Sequence, residues 1–373
     1  MINNKVLMFI RTPSLMYDDR VRKEAKLLSS KGNVYISSYE NRIDDLGISY
    51  DNVSIKRHTL TLRKIFGSGV FPSIKLFEMY LRFLFDYLRT KPNIIWLHNF
   101  EAVGLVGLFL LVKKIFKKDI KIVWDQHEMP PSIILGNSVF KKIYKILLNK
   151  IDVNIHACSA RAEYINVKLD DEIEYIAIEN FPDKSFIKTN NIDIPLAISQ
   201  WLDGQPLILC QGGCRSDRAY ESIVKSAIKA KKKIVFVGPI IQPLVDEVRH
   251  DNIDFDLYVY MQDSVPQMHL KSYICSSILT LVFYKKDKIN NWLCAPNRFY
   301  QSLSLGTPVI CGNNPLFTQY SDNPLVRVVG TDGSDPVEIY NTLVSIDNMS
   351  EKTKMGELVF ESQSNKIIKE IFG

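Results

Sequence analysis

A histidine set between carboxylates is the most reactive grouping in the sequence: residues 125–128 read Asp-Gln-His-Glu. They follow residues 120–124, an apolar run of the kind that forms a buried parallel strand. An imidazole at the carboxyl end of such a strand can orient a hydroxyl group or share its proton. A lone histidine is most often structural, but a place after a strand and beside two carboxylates favours His127 and Asp125 as catalytic residues.

A loop rich in glycine and arginine forms a second candidate, residues 210–218, which read Cys-Gln-Gly-Gly-Cys-Arg-Ser-Asp-Arg. Paired glycines let the backbone approach a ligand closely, and guanidinium groups offer fixed, bidentate donors to phosphate. The alternative is a strand-to-helix turn with two exposed arginines. Of the two arginines, Arg218 is the better candidate for contact with a diphosphate.

Residues 296–310 form the third candidate, in which Pro-Asn opens a short amphipathic helix, Gly306 ends it and Pro-Val-Ile begins a buried strand. The start of a helix carries unpaired N–H groups and a partial positive charge. In open α/β sheets such helix starts face phosphorylated ligands at the carboxyl ends of the strands. The sequence therefore predicts a phosphate-binding helix at residue 297.

The elements that must position these residues follow a repeated strand–helix pattern, which predicts the α/β class with doubly wound sheets. Apolar runs in the first half lie at residues 5–10, 34–37, 94–97, 120–124, 153–157 and 175–178. Those in the second half lie at 206–210, 233–238, 257–260, 278–283 and 309–310. We predict one domain over residues 1–185 and another over 186–351, with the polar stretch 180–198 as a linker.

The bulk composition fits this organisation, because 373 residues exceed one ordinary core and suit two domains. A hydrophobic content of 46% with 24% charged residues is that of a folded globular protein. The six cysteines, with no secretory leader, predict reduced thiols and a cytoplasmic protein. Because no Cys-x-x-Cys pair and no clustered histidines occur, no metal site is predicted.

Two basic segments and one aromatic segment stand out in the first half. Lysines crowd residues 113–121 and 141–150, and residues 74–88 form a helical pattern whose apolar face is wider than a core stripe. Solvated helix faces and ordinary core packing are one interpretation, and contact with an anionic membrane surface is the other. No nucleic-acid-binding module is recognisable, and no apolar run reaches the roughly 20 residues of a membrane span.

Taken together, these motifs resemble those of retaining glycosyltransferases of the GT-B fold, family 4 type. Residues 296–310 resemble the family's nucleotide-sugar signature, and residues 237–238 resemble its Val-Gly turn. Arg218 and Glu221 match its Arg-Gly-Leu-Glu element, and residues 125–128 match its Asp-x-His-Glu. Residues 18–25 resemble its Asp-Pro-Arg-Val-Arg-Arg-Glu-Ala helix start. The matches occur in the family's order over most of the chain.

The resemblance implies two Rossmann-like domains facing a cleft, with a last helix, residues 352–373, that crosses back to the first domain. The implied donor-binding residues are Gly212, Gly213, Arg215, Arg218, Gly238, Pro296, Asn297, Arg298 and Gln301. The implied acceptor-binding residues are His98, Asn99, Glu101 and Glu128, and Arg218 joins His127 and Asp125 in catalysis. Gln301 stands where the family has a glutamate that binds the ribose, and Asn99 stands where it has an aspartate.

The implied activity is transfer of a sugar from a nucleoside-diphosphate sugar with retention of configuration. The resemblance implies no bound metal and no cofactor besides this donor. It also implies a saccharide or lipid-linked glycan acceptor, for instance in bacterial polysaccharide or lipopolysaccharide synthesis, and a place at the inner face of the plasma membrane. Two alternatives remain open: a non-catalytic partner with a degenerate donor site, and a nucleotide-sugar epimerase.

Overall fold

The computed structural model describes residues 4–41, 43, 51–62, 72–190, 193–345 and 358–373. The chain divides into two compact units, of which the first comprises Met1–Glu179 and Gln363–Gly373 and the second comprises Asn180–Ser362. Each unit contains a parallel sheet with intervening helices. The predicted fold class, two Rossmann-like α/β domains, is therefore confirmed.

The first sheet has the doubly wound strand order β3-β2-β1-β4-β5-β6-β7, counted over the described residues. Its strands are β1 (Asn4–Thr12), β2 (Gly32–Glu40), β3 (Val53–Thr59), β4 (Ile94–His98), β5 (Lys121–Gln126), β6 (Val153–His156) and β7 (Ile176–Ala177). The central strands β1, β4 and β5 are almost wholly buried, as expected for parallel strands covered on both faces.

The helices of the first unit connect these strands and include the last helix of the chain. They are α1 (Asp19–Ser29), α2 (Pro72–Thr90), α3 (Val103–Phe116), α4 (Ser132–Gly136), α5 (Ser138–Leu148), α6 (Ser159–Leu169) and, at the carboxyl terminus, Ser364–Phe372. Asp18 caps α1 by accepting a hydrogen bond from the N–H of Val21. This cap fixes where α1 begins, just after the loop that follows β1.

The second sheet repeats the doubly wound order over the described residues, β10-β9-β8-β11-β12-β13. Its strands are β8 (Leu207–Gln211), β9 (Ile234–Val237), β10 (Val259–Gln262), β11 (Ser277–Val282), β12 (Val309–Cys311) and β13 (Val326–Val328). The helices are α7 (Lys184–Lys188), α8 (Leu196–Leu202), α9 (Tyr220–Ala230), α10 (Gln242–His250), α11 (Phe255–Tyr258), α12 (Gln267–Ser276), α13 (Ile289–Trp292), α14 (Asn297–Ser304), α15 (Pro315–Thr318) and α16 (Pro336–Val344).

The predicted linker at residues 180–198 is wrong, because most of this stretch belongs to the second unit. It contains α7 and the start of α8, and it buries Phe186 and Ile198 against Leu207 and Leu209 of β8. The division between the units falls at Glu179, a few residues before the predicted end at residue 185. A few apolar side chains in short helices were enough to anchor a segment whose composition is polar.

The chain's last helix, α17 (Ser364–Phe372), belongs to the first unit. It buries Ile367 and Ile371, and the ammonium of Lys121 donates to the carbonyl of Ile371 over 2.8 Å. Residues 346–357, which include the predicted start of this helix at 352, lie outside the described residues. No helix in the described ranges is both long enough and apolar enough to cross a membrane.

Candidate functional site

The first unit brings three predicted site residues together at the carboxyl ends of adjacent strands. His98 ends β4, and it pairs in register with Asp125 of β5. His127 follows directly after the end of β5. Because parallel neighbours end at the same edge of a sheet, all three side chains meet there. Asp125 and His98 are fully buried, whereas His127 is partly exposed.

The geometry of this group determines which nitrogen of His127 carries the proton. Its Nε2 lies 3.0 Å from Oδ2 of Asp125 and 3.1 Å from Nδ1 of His98. An ionised carboxylate can only accept, so Nε2 of His127 is the protonated nitrogen and donates to Asp125. In neutral His127 this leaves Nδ1 as the nitrogen that can accept a proton from a ligand hydroxyl.

Helix α1 adds two residues that were not among the predicted site residues, Arg20 and Glu24. The guanidinium of Arg20 donates to both oxygens of Asp125, over 3.1 and 2.8 Å, and to the carbonyl of Ile178 over 2.6 Å. It also lies 3.0 Å from Glu24, one helical turn further on. The match of residues 18–25 to a family helix start was the available signal, because it contains both residues.

Burial and charge shift the pKa values of the buried groups. Burial alone would raise the pKa of Asp125, but the charge of Arg20 and the hydrogen bonds from the histidines hold that pKa well below its usual range. Burial and the charge of Asp125 raise the pKa of Glu24 well above normal. Burial lowers the pKa of His98. The site therefore stabilises ionised Asp125, protonated Glu24 and neutral His98.

Asn99 has a positioning role in the structure. Its φ is 60° and its ψ is 176°, a backbone conformation that residues other than glycine rarely adopt. Its side-chain oxygen accepts from the N–H of His127 over 3.1 Å, and its carbonyl accepts from Nε1 of Trp124 over 2.9 Å. The side chain that was predicted to contact an acceptor thus fixes the backbone of His127.

The two remaining predicted acceptor residues lie apart from the histidine group. Glu101 forms an exposed ion pair with Arg11 over 3.3 Å. Its backbone carbonyl accepts from the hydroxyl of Tyr80 over 2.6 Å. Glu128 is exposed to solvent. Neither carboxylate is hydrogen-bonded to His98, Asp125 or His127 within the described part of the chain.

The same group is the place where the first unit could hold a metal ion. One donor atom from each of Glu24, His98, Asp125 and His127 lies within 4.8 Å of the others. Sequence spacing does not reveal this grouping, because Glu24 comes from a helix and the others from strand ends. However, the guanidinium of Arg20 already contacts the side chains of both Asp125 and Glu24. A divalent cation would have to share them with it.

In the second unit, the predicted glycines bring two loops into close contact. Gly213 and Gly238 have φ values of +78° and +143°. A Cβ on Gly213 would lie 2.2 Å from the carbonyl oxygen of Pro239, and one on Gly238 would lie 2.4 Å from the nitrogen of Gly213. The N–H of Gly212 donates to the carbonyl of Val237 over 2.8 Å. The glycines therefore shape the carboxyl edge of the sheet at β8 and β9.

Arg298, the second residue of α14, is buried and bonded to the protein. Its guanidinium donates to the carbonyl of Gln211, at the end of β8, and over 2.9 Å to the carbonyl of Phe283, after β11. The ring of Tyr284 lies 4.5 Å from it. Arg298 therefore holds α14 to two strand ends, and its contact with a phosphate stays a prediction.

Arg218 is the more available arginine of this site. It is half-buried, one Nη donates to the carbonyl of Gly212, and its guanidinium lies 5.5 Å from the centre of the Tyr284 ring. Within the described residues it makes no other hydrogen bond and no ion pair, so donors remain for a ligand. Burial lowers its pKa. Tyr284, which lies beside both arginines, was missed because no motif marks it.

Arg215 is exposed and forms an ion pair with Asp217. It donates twice to Asp217, over 2.9 Å in each case. This contact raises the pKa of Arg215 and lowers that of Asp217. A phosphate would have to displace the carboxylate to use Arg215, so Arg218 remains the better candidate.

The helix α14 begins where it was predicted, with Pro296 as the residue before Asn297. Pro296 provides no side-chain cap, and its carbonyl accepts from the N–H of Phe299, so the N–H groups of Asn297 and Arg298 are left for other partners. Gln301 is buried, with 4% of its surface exposed. Nε of Arg298 and Nε2 of Gln211 are buried donors with no hydrogen-bond partner in the described structure.

Comparison with known proteins shows similarity in fold rather than in sequence. No family model matches the chain, and no curated protein matches it by sequence. The chain is similar to the apo structure of OtsA, with a TM-score of 0.68, 11% identity, and coverage of 100% of this chain and 99% of that one. It is also similar to α,α-trehalose-6-phosphate synthase from Burkholderia multivorans, with a TM-score of 0.67, 10% identity, and coverage of 99% and 98%.

A third solved structure is Alr3699/HepE from Anabaena in complex with UDP. It has a TM-score of 0.65 and 12% identity, and the match covers 99% of this chain and 95% of that one. These neighbours are glycosyltransferases of the GT-B fold. The matches span nearly the whole of each chain, so this chain has the GT-B fold as well.

Proposed function

We propose that the protein is a glycosyltransferase that takes its sugar from a nucleoside-diphosphate donor. The observation that carries the proposal is Arg218, a half-buried guanidinium with unused donors beside the glycine loop, on a fold shared with enzymes solved with UDP or UDP-2-fluoro-glucose. Arg218 would neutralise charge on the departing diphosphate, together with the N-terminus of α14. The diphosphate would lie at the glycine loop.

The finer proposal is a metal-independent transfer with retention. Protein cations would replace a metal at the leaving group, and Arg298 would add its charge from within the protein. His127 would accept a hydrogen bond from a sugar hydroxyl through Nδ1, and Asp125 would hold its ring. Such a hydrogen bond positions the sugar without forming a covalent bond to the enzyme.

We propose a lipid-linked or other glycan as the acceptor, with a place in bacterial surface polysaccharide synthesis. Support comes from the basic and aromatic composition of the first unit and from the family resemblance. A cytoplasmic enzyme at the inner face of the plasma membrane would meet such an acceptor directly.

The test is a thermal-shift screen of the full chain against UDP, GDP, ADP and CMP, with and without divalent metal. We expect one nucleoside diphosphate to raise the melting temperature without metal. Arg218→Ala should abolish the shift, whereas Arg327→Ala, at an exposed position on β13, should retain it. No shift for any nucleotide at saturating concentration would refute donor binding.

A non-catalytic partner is the second candidate, favoured by the amide of Gln301 and by the engagement of Arg215 with Asp217. The Gln301→Glu variant distinguishes an active transferase from a non-catalytic partner. A large gain in nucleotide affinity would indicate a decayed donor site, and little change would indicate a site adapted to glutamine.

A further inference from the structure

Helix α2 presents a continuous apolar stripe to solvent. Ile74, Phe77, Leu81, Phe85 and Leu88 follow one another at intervals of three or four residues, which places them on one face. Phe77, Phe85 and Leu88 are 60%, 68% and 64% exposed. The opposite face contains Met79, Phe83 and Tyr87, which are buried in the core. The wide apolar pattern of this helix therefore combines a core face with an uncovered face.

Two further helices of the first unit show the same arrangement. In α3, Leu105, Val106 and Phe109 are buried. The exposed apolar side chains of α3 and α5 are Leu111, Ile115, Phe116, Val139, Phe140, Ile143 and Ile146. Each helix therefore has apolar residues both toward the core and toward solvent, unlike an ordinary surface helix, which is polar on its outer face.

The three helices are neighbours, so their uncovered faces form one surface. Phe109 of α3 packs edge-on against Phe83 and Tyr87 of α2, with ring centres 6.0 and 5.0 Å apart. On the other side of α3, a Cβ on Gly107 would lie 3.9 Å from Leu147 of α5. We call the exposed faces of α2, α3 and α5 the three-helix surface.

The charges beside the three-helix surface are mostly positive, although exposed Asp119 follows α3 and Glu78 of α2 pairs with Arg82. Lys113 and Lys145 are paired with Asp152 and Asp171. Within the described residues Lys121 donates to backbone carbonyls of α17, and no carboxylate pairs with the remaining lysines of these segments, namely Lys114, Lys117, Lys118, Lys141, Lys142 and Lys150. The two basic segments, residues 113–121 and 141–150, thus lie beside the apolar faces of the same three helices.

We propose that the three-helix surface docks on a membrane that contains anionic lipid. Exposed apolar patches of this kind mark interaction sites, and amphipathic helices with lysines beside apolar residues lie in the membrane interface. Each lysine near an anionic bilayer strengthens binding roughly fivefold. The aromatic and aliphatic side chains would enter the interface, while the lysines contact lipid phosphates.

The excess of unpaired lysines among the described residues argues against a second copy of the chain as the occupant. A twofold dimer buries the same patch of both subunits, so lysines would face lysines across the interface. An anionic bilayer has the complementary charge and needs no matching shape. This inference concerns the surface alone and does not depend on the proposed transfer activity.

The experiment is co-sedimentation of the full chain with vesicles of phosphatidylcholine alone and of phosphatidylcholine mixed with phosphatidylglycerol. We expect binding to the mixed vesicles that weakens as salt rises. Phe77→Ser with Phe85→Ser should weaken it more than tenfold, because these side chains are exposed and leave the core intact. Val167→Ser with Ile253→Ser, two exposed apolar positions elsewhere, should bind like the wild type.

The charge contribution is tested separately by Lys114→Gln with Lys142→Gln, against Lys225→Gln on α9 as the control. The paired change should weaken binding to mixed vesicles roughly 25-fold, on the estimate of fivefold per lysine. Equal binding to both kinds of vesicle, or unchanged binding by both paired variants, would overturn the proposal. So would a concentration-dependent dimer that the phenylalanine variant abolishes, because a second copy would then cover the surface.

Discussion

His156 is a buried imidazole whose neutral form the fold requires. It ends β6 beside Gln126, with 2% of its surface exposed, and burial lowers its pKa to about 3. An unfolded histidine titrates near 6.5. Since the folded pKa lies below the unfolded one, its contribution to stability is complete above about pH 6.5 and is lost as the pH falls toward 3.

We predict that lowering the pH from 7 to 5 destabilises the protein by about 2 kcal/mol through His156 alone. His98, whose pKa is also lowered by burial, should add to the loss in the same direction. The His156→Gln variant should lose the part of the pH dependence of the free energy of unfolding that His156 causes. His250→Gln, at an exposed position, should retain the full dependence. Urea unfolding at the two pH values measures this, and an unchanged pH dependence in His156→Gln would contradict it.

Sequence reasoning located the residues of the histidine group but not their partners. His98, Asp125 and His127 could be placed because they follow apolar strands, and strand ends meet at one edge. The contact between Arg20 and Asp125 joins positions 105 residues apart, which no local pattern specifies. The role of Asn99 also depends on its backbone conformation, and residue type alone gives no sign of it.

At the scale of elements, α14 is fastened to the second sheet by Arg298. Two strand-end carbonyls accept from its guanidinium, and the ring of Tyr284 covers it. A lysine cannot reproduce the planar fork or the stacking. A hydrogen bond from a charged donor contributes about 1.5–3 kcal/mol to the free energy of unfolding. Losing such a bond also leaves a buried carbonyl without a donor.

We therefore predict that Arg298→Lys destabilises the second unit by about 2 kcal/mol. Arg215→Lys is the matched control, because that arginine is exposed and its ion pair is worth at most about 1 kcal/mol. Thermal unfolding of both variants, with and without nucleotide, provides the measurement. If Arg298→Lys kept wild-type stability but lost nucleotide binding, Arg298 would act directly on the ligand instead of through the position of α14.

The elements themselves were the most predictable part of the fold. Long apolar runs such as β1 and β8 are buried on both faces and were found from composition alone. The error at residues 180–198 arose because α7 and α8 are short and contribute only a few core side chains, such as Phe186 and Ile198. Periodicity needs several turns to become visible, whereas a single buried phenylalanine is enough to attach a segment.

At the scale of the whole molecule, the first unit is built from two separate parts of the chain. Its last part is α17, which contributes Ile367 and Ile371 to the interior of that unit. Lys121 donates to carbonyls at the end of the helix, and the amide of Gln363 exchanges two hydrogen bonds with the backbone of Glu179. The stability of the first unit should therefore depend on the last ten or so residues of the chain.

We predict that Ile367→Ala with Ile371→Ala destabilises the first unit by several kcal/mol, because each buried isoleucine truncated to alanine costs about 2–5 kcal/mol. Lys369→Ala changes the exposed face of the same helix and should have little effect. Hydrogen exchange followed by mass spectrometry assigns the loss to a unit: faster exchange is expected in β4, β5 and β6, with β8 and β9 unchanged. If β8 and β9 lost protection to the same extent, the two units would unfold as one, and α17 would support the whole chain and not the first unit alone.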